Sequence, residues 1–304
     1  MYSLPDGILL AISIAIGLVG TLLRADFSKR RSSGIRSYYR FTGVMSVLCA
    51  LGIWLLDGPE HGFGLPKLST YSLLLGALFG LVTMIQCLVN IAALRVGPLS
   101  YTTVIISLAT IIPALSGVIF WDEGLGTLQI IGMVLMVGCF FFSVDNTKTG
   151  SEKPVTVKWL ILCGIAFCCT GAIGVMQKIH QTSPYKDELC GFLIVAFIVS
   201  AVICFILRLL SRRSGTVEEK PAVRTGTGMF LAYCAIIGIS TAGINLFNLY
   251  LSGAMPAAVF FPIVNGGSLV LVTIASLILF RERLTVRQWI GMGMGTAAVL
   301  LLCM

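Results

Sequence analysis

Charge is scarce in this chain. Only 11% of its 304 residues are Asp, Glu, Lys or Arg, and it has two histidines. Lipid-phosphate transfer needs clustered Asp or a nucleophilic His, and intramembrane proteolysis needs an acid pair or a Ser with a base. The close acidic pairs here, Asp122-Glu123, Asp187-Glu188 and Glu218-Glu219, fall at the edges of apolar runs or in polar links. His61 and His180 are peripheral in the same way, and His180 reads as an interfacial residue closing its helix together with Lys178. The sequence therefore argues against an enzyme, and no cofactor or metal is expected. Its ten cysteines lack metal-ligand spacing, and most sit in apolar runs, where Cys behaves as a small hydrophobe. A basic n-region and a small-residue cleavage site are also missing from the first apolar segment, which reads as a retained helix.

What the chain has in abundance is apolar surface. Fifty-seven per cent of it is hydrophobic and the mean hydropathy is +0.97. Apolar runs of roughly 18–25 residues, the length that crosses a bilayer core, recur throughout. The expected fold is an all-α integral membrane protein with ten transmembrane helices, at 5–24, 38–56, 69–94, 98–120, 126–144, 156–180, 189–210, 227–251, 256–280 and 285–303. The net charge of +8 belongs to the loops and speaks of orientation, not of a nucleic-acid partner. Eighteen of the 21 Lys and Arg fall in odd-numbered loops or the helix ends beside them, beginning with Arg24, Lys29, Arg30 and Arg31; only Lys67, Lys178 and Lys186 fall on the other side. Positive charge favours the cytoplasm, so the odd loops are expected there and both termini outside.

The chain contains one stretch twice. At a shift of 158 residues, Gly238, Thr241, Leu246, Asn248 and Pro256 fall on Gly80, Thr83, Leu88, Asn90 and Pro98. At 159, Glu282, Leu284, Gln288, Gly291 and Met292 fall on Glu123, Leu125, Gln129, Gly132 and Met133. A weaker echo at 154 sets Gly171 and Gly174 on Gly17 and Gly20. The expected organisation is a five-helix repeat over 1–145, a polar linker over 146–155 and a second five-helix repeat over 156–304. Five is odd, so the second repeat must enter the bilayer inverted. Inverted repeats are a transporter construction, with the solute site near mid-membrane and access alternating as the repeats rock.

Two motifs carry a resemblance. One is the helix exit Asn90-x-x-Ala93-Leu94…Pro98 with its counterpart Asn248-x-x-Leu251…Pro256. The other is the acidic turn Glu123-x-Leu125…Gln129-x-x-Gly132, mirrored by Glu282-Arg-Leu284…Gln288-x-x-Gly291. In these the chain resembles the drug/metabolite transporter superfamily, specifically its EamA-type members. The resemblance implies a bundle whose helices one, three, four, six, eight and nine line a central cavity, and it implies movement of small metabolites or drugs, frequently as export. The four-helix relatives use an acid within helix one; here that helix has only Asp6 at its edge.

Polar groups in hydrocarbon must face the bundle, a cavity or one another. Thr83, Gln86 and Asn90 share one face of helix three; Thr241, Asn245 and Asn248 share one face of helix eight, with Tyr233 and Tyr250 towards its ends. With Tyr101 and Ser107 of helix four and Asn265 of helix nine, these are the candidate cavity residues. The alternative for each is a hydrogen bond that holds helices together. Pro113 and Pro262 are candidate helix breaks, freeing carbonyls near Ala109 and Ala258. Glu123 and Glu282 are candidate structural turns, each expected to accept N–H groups at the start of the following helix. The resulting expectation is a secondary transporter in the cell membrane, acting on a small polar or amphipathic solute. Its partners would be that solute and the lipid bilayer, and it would be a monomer or a weak homodimer. A non-transporting receptor or scaffold is the alternative.

Overall fold

The computed structural model describes residues 6–31, 35–61, 68–96, 102, 105–124, 126–142, 156–213, 226–280 and 286–302. Among them the regular structure is all helical. The order is α1 (Asp6–Arg31), α2 (Ile35–His61), α3 (Thr70–Val96), a 3-10 turn (Leu108–Thr110), α4 (Ile111–Trp121), α5 (Thr127–Phe142), α6 (Val157–Gln181), a second 3-10 turn (Lys186–Glu188), α7 (Leu189–Arg213), α8 (Thr227–Ala254), α9 (Ala257–Phe280) and α10 (Val286–Leu302). Five stretches, Arg36–Pro59, Thr70–Ala93, Val157–Gln181, Lys186–Ser211 and Thr227–Ala254, are long and apolar enough to cross a membrane. The described apolar parts of the other five helices are shorter. Tyr101, Glu282, Pro98 and the linker 146–155 lie outside the described residues.

Local chemistry sets the helix ends. Thr156 caps α6 by accepting the Trp159 N–H at 3.2 Å, and Ser69 caps α3 by accepting the Ser72 N–H at 3.1 Å. α4 stops where Asp122 turns left-handed (φ 49°), a conformation that Asp tolerates better than most residues. Pro113 stands in the first turn of α4, where its missing N–H costs no helical bond, and the chain tightens into the 3-10 turn just before it. Pro262 instead lies inside a continuous α9.

The chain forms two compact units, and each draws on both halves of the sequence. The first is Gly7–Met84 with His180–Tyr250; the second is Ile85–Ile179 with Leu251–Met304 and Met1–Asp6. In the first unit α2 packs along α7. Gly80 of α3 lies against the backbone carbonyl of Ala196 on α7, and Ser200 donates to the Gly80 carbonyl at 3.4 Å. Gly238 of α8, its repeat counterpart, faces the backbone carbonyl of Met45 on α2, and Cys49 donates to the Gly238 carbonyl at 3.2 Å. One shift of 151 residues carries Met45 to Ala196 and Cys49 to Ser200. In the second unit α5 packs along α10 and α4 along α9. Small residues again set the approach: Gly132 lies under Ala298 and Leu302, and Gly174 of α6 under Pro113 and Phe261. Such contacts let two helix backbones approach closely, so that close packing and backbone-directed bonds hold the pair.

Candidate functional site

The second unit holds a buried ion pair that begins with a problem at the start of α9. Pro256 accepts the N–H groups of Val259 and Phe260 through its carbonyl, but it has no side-chain acceptor for the first N–H of the helix. Glu123 supplies one from 134 residues away: its Oε2 accepts the Ala257 N–H at 2.6 Å. The left-handed Asp122 and a Glu123 N–H to Gly117 O bond of 3.2 Å fix the turn from which that side chain reaches. Gly117 leaves the room, since a Cβ there would collide with the Glu123 carboxylate and with Ala257. Lys178 Nζ stands 2.7 Å from Glu123 Oε1 and donates to the Met255 carbonyl at 3.1 Å. The side chains of Lys178 and Glu123 are 5% and 12% exposed. Anion and cation thus sit at the helix ends that favour them, the carboxylate at the start of α9 and the ammonium at the carbonyl just past α8.

This corrects the reading of Glu123 in one respect. It remains a turn residue, but it caps α9 and not the following helix. The start of α5 is served locally, where Gln129 Oε1 accepts the Gly126 N–H at 3.1 Å. His180, one residue from the end of α6, is wholly buried, and its ring lies 4.4 Å from that of Phe192.

The amides and hydroxyls divide between the units. In the first, Thr83 and Thr241 donate back to the carbonyls of Phe79 and Ile237, and Asn245 donates to Thr241 O at 2.8 Å. Asn248 Oδ1 accepts from Ser13 at 2.8 Å, a bond from fully buried Ser13 on α1 to α8. Tyr233 and Tyr250 are half-buried. In the second unit Gln86 and Asn90 are half-buried, and Ser107 gives its carbonyl to the Thr110 hydroxyl. Asn265 is exposed on α9; its amide nitrogen donates to Phe261 O at 2.9 Å, a bond in which the side-chain oxygen takes no part. A half-open groove near both prolines, lined by Thr110, Ile111, Leu115, Met133, Met136 and Pro262, is almost wholly apolar and suits hydrocarbon, not a polar solute.

No family model matches the chain, and no curated protein does. Solved structures do match. Among 28 such chains, one crystal structure of a protein aligns with a TM-score of 0.73 at 12% identity, covering 97% of this chain and 95% of that chain. Identity this low shows a shared fold alone. Sequence reasoning missed Lys178 as the partner of Glu123 and Ser13 as the partner of Asn248. The signal available for Lys178 was its place: a cation three residues inside the end of an apolar helix needs a counter-charge. Ser13, one small hydroxyl in an apolar run, offered none.

Proposed function

We propose that the chain is a secondary transporter of the EamA type, spanning the cell membrane with ten helices in two inverted five-helix repeats. It would move a small neutral or zwitterionic solute by alternating access. The observation that carries this reading is the exchanged pair of glycine contacts. Helix three of the first repeat meets helix seven of the second at Gly80, Ala196 and Ser200. Helix eight of the second repeat meets helix two of the first at Gly238, Met45 and Cys49. A swap of this kind is what a twofold axis between repeats produces. With five helices per repeat, that axis lies in the membrane plane and relates an outward-facing arrangement to an inward-facing one. Large apolar side chains left bare, such as Leu56, Phe120, Val134 and Ile239, support a lipid surrounding. The half-buried Gln86 and Asn90 of α3 and the exposed Asn265 support a polar solute, since a bound solute can meet donors and acceptors otherwise met by water.

The test is uptake of labelled metabolites into proteoliposomes holding the purified chain, after a thermal-shift screen has chosen the candidates. A ligand that binds the native state raises its melting temperature. Binding with no solute accumulating inside the vesicles would reject transport and leave a receptor.

A further inference from the structure

The first unit contains a second polar cluster, built around the start of α3. In a capping box the third helical residue is Glu or Gln and reaches back to the N-cap N–H. Here that residue is Ser72, so the acceptor comes from elsewhere. Glu188 accepts the Ser69 N–H at 3.0 and 3.2 Å and the Ser69 hydroxyl at 2.7 Å. Ser72 Oγ lies 3.2 Å from Ser69 Oγ and 3.3 Å from His180 Nε2. Ser72 and His180 are both fully buried.

The direction of every bond follows from the chemistry. Gln181 Nε2 donates to the Lys186 carbonyl at 3.3 Å, an acceptor only, which fixes which end of the amide faces the imidazole. The same nitrogen is 3.2 Å from His180 Nδ1, so Nδ1 accepts and the neutral ring carries its hydrogen on Nε2. That hydrogen goes to Ser72. Ser69 has one hydroxyl hydrogen, which goes to the carboxylate at 2.7 Å, and the Ser72 hydroxyl also hydrogen-bonds Glu188. Donors lead from His180 to Ser72 and on to Glu188, directly or through Ser69. At the ends of the surrounding elements next to the cluster, the other ionisable groups are Tyr71 on α3, Lys178 on α6, Tyr185, Lys186 and Asp187 before α7, and Cys190 on α7. Tyr71 and Tyr185 stack on each other with ring centroids 5.6 Å apart.

We propose that His180, Ser72, Ser69 and Glu188 form a proton-binding relay. A proton enters at His180 Nδ1 as the Gln181 amide swings off the ring. His180 passes its Nε2 hydrogen to Ser72, Ser72 passes its own to Ser69, and Ser69 passes its own to Glu188 Oε2. One proton is gained, one carboxylate becomes a neutral acid, and the ring ends neutral with its hydrogen on Nδ1. The carboxylate that caps α3 loses its charge in the same event. Negative charge is favoured at a helix start, so protonation loosens the hold on the first turn of α3. The relay requires no solute and stands or falls apart from the transport reading.

With two histidines in the chain, His61→Gln leaves His180 as the sole imidazole. Full-length protein labelled with 15N-histidine in lipid bilayers then reports the tautomer by NMR. At about pH 8 the hydrogen is expected on Nε2, and acidification should move it to Nδ1 before any imidazolium forms. Glu188→Gln cannot take the proton and should abolish that exchange; Ser72→Ala should abolish it with Glu188 intact. Melting temperatures of both variants show that they are folded when read. A ring with its hydrogen on Nδ1 at the alkaline end overturns the proposal, as does an unchanged exchange in both variants.

Discussion

An amide side chain packed between helices must find a partner, and Asn248 finds Ser13. A neutral hydrogen bond of this kind contributes ~0.5–1.5 kcal/mol, and removing one partner leaves the other unsatisfied. Ser13→Ala and Asn248→Ala should each lower the melting temperature, and the double variant should be little worse than either. Losses that simply add would mean the two do not act as a pair. Lys178 and Glu123 carry larger stakes, because removing one member leaves a buried charge alone. Glu123→Gln and Lys178→Met should each cost about 3–5 kcal/mol, while the double variant recovers most of that loss. Denaturation of the four proteins in one detergent decides it, and a double variant weaker than both singles rejects the pairing. How much of this was legible differs by residue. That Glu123 would accept backbone N–H groups followed from an acid beside a helix start. That the helix would be α9 did not follow, because no local pattern encodes a contact 134 residues away.

Helices were the most legible level, since an apolar run of bilayer length has few other fates. The expected boundaries lie within a few residues of the observed ones for most helices; α1 and α2 run further, to Arg31 and His61. Helix four was expected over 98–120 with a candidate break at Pro113, and the structure turns 3-10 just before it, at Leu108–Thr110. Pro113 marked the place, yet the sequence could not tell a break from the uninterrupted passage that Pro262 makes in α9. Packing between helices turns on glycine, and the two repeat-related glycines are not equally tight. A Cβ at Gly80 would collide with the Ala196 carbonyl, whereas one at Gly238 would sit 3.4 Å from the Met45 carbonyl, an ordinary contact. Gly80→Ala should therefore destabilise by about 1–3 kcal/mol, as overpacking does, and Gly238→Ala should be nearly neutral. Equal damage from both would show that the crossings of α3 on α7 and α8 on α2 are equally close.

At the scale of the whole molecule, the repeat and the charge pattern were both written in the sequence, and they make separable claims. The repeat sets Glu282 on Glu123 and, at the shift of 154, Arg24 on Lys178; Glu282 and the Arg24 side chain lie outside the described residues. Glu282→Gln is accordingly expected to cost stability of the same order as Glu123→Gln, read as the melting temperatures of the two variants. The charge pattern concerns orientation alone. Odd-numbered loops and the helix ends beside them hold 18 of the 21 Lys and Arg, in links short enough for the bias to act, so these loops are expected in the cytoplasm. In the inverted-repeat arrangement proposed above, turning the whole protein over would exchange the two repeats while leaving the fold unchanged. Packing cannot choose between the two orientations, and the loop charges must. A reporter that fluoresces only in the cytoplasm should be dark when fused after Met304 and bright when inserted between 211 and 226. Replacing Lys29, Arg30 and Arg31 with Gln weakens the bias and should send a fraction of molecules in the opposite way, with signal appearing at the C-terminal fusion. A bright C-terminal fusion in the unaltered protein would reverse the orientation and leave the proposed twofold relation between repeats untouched.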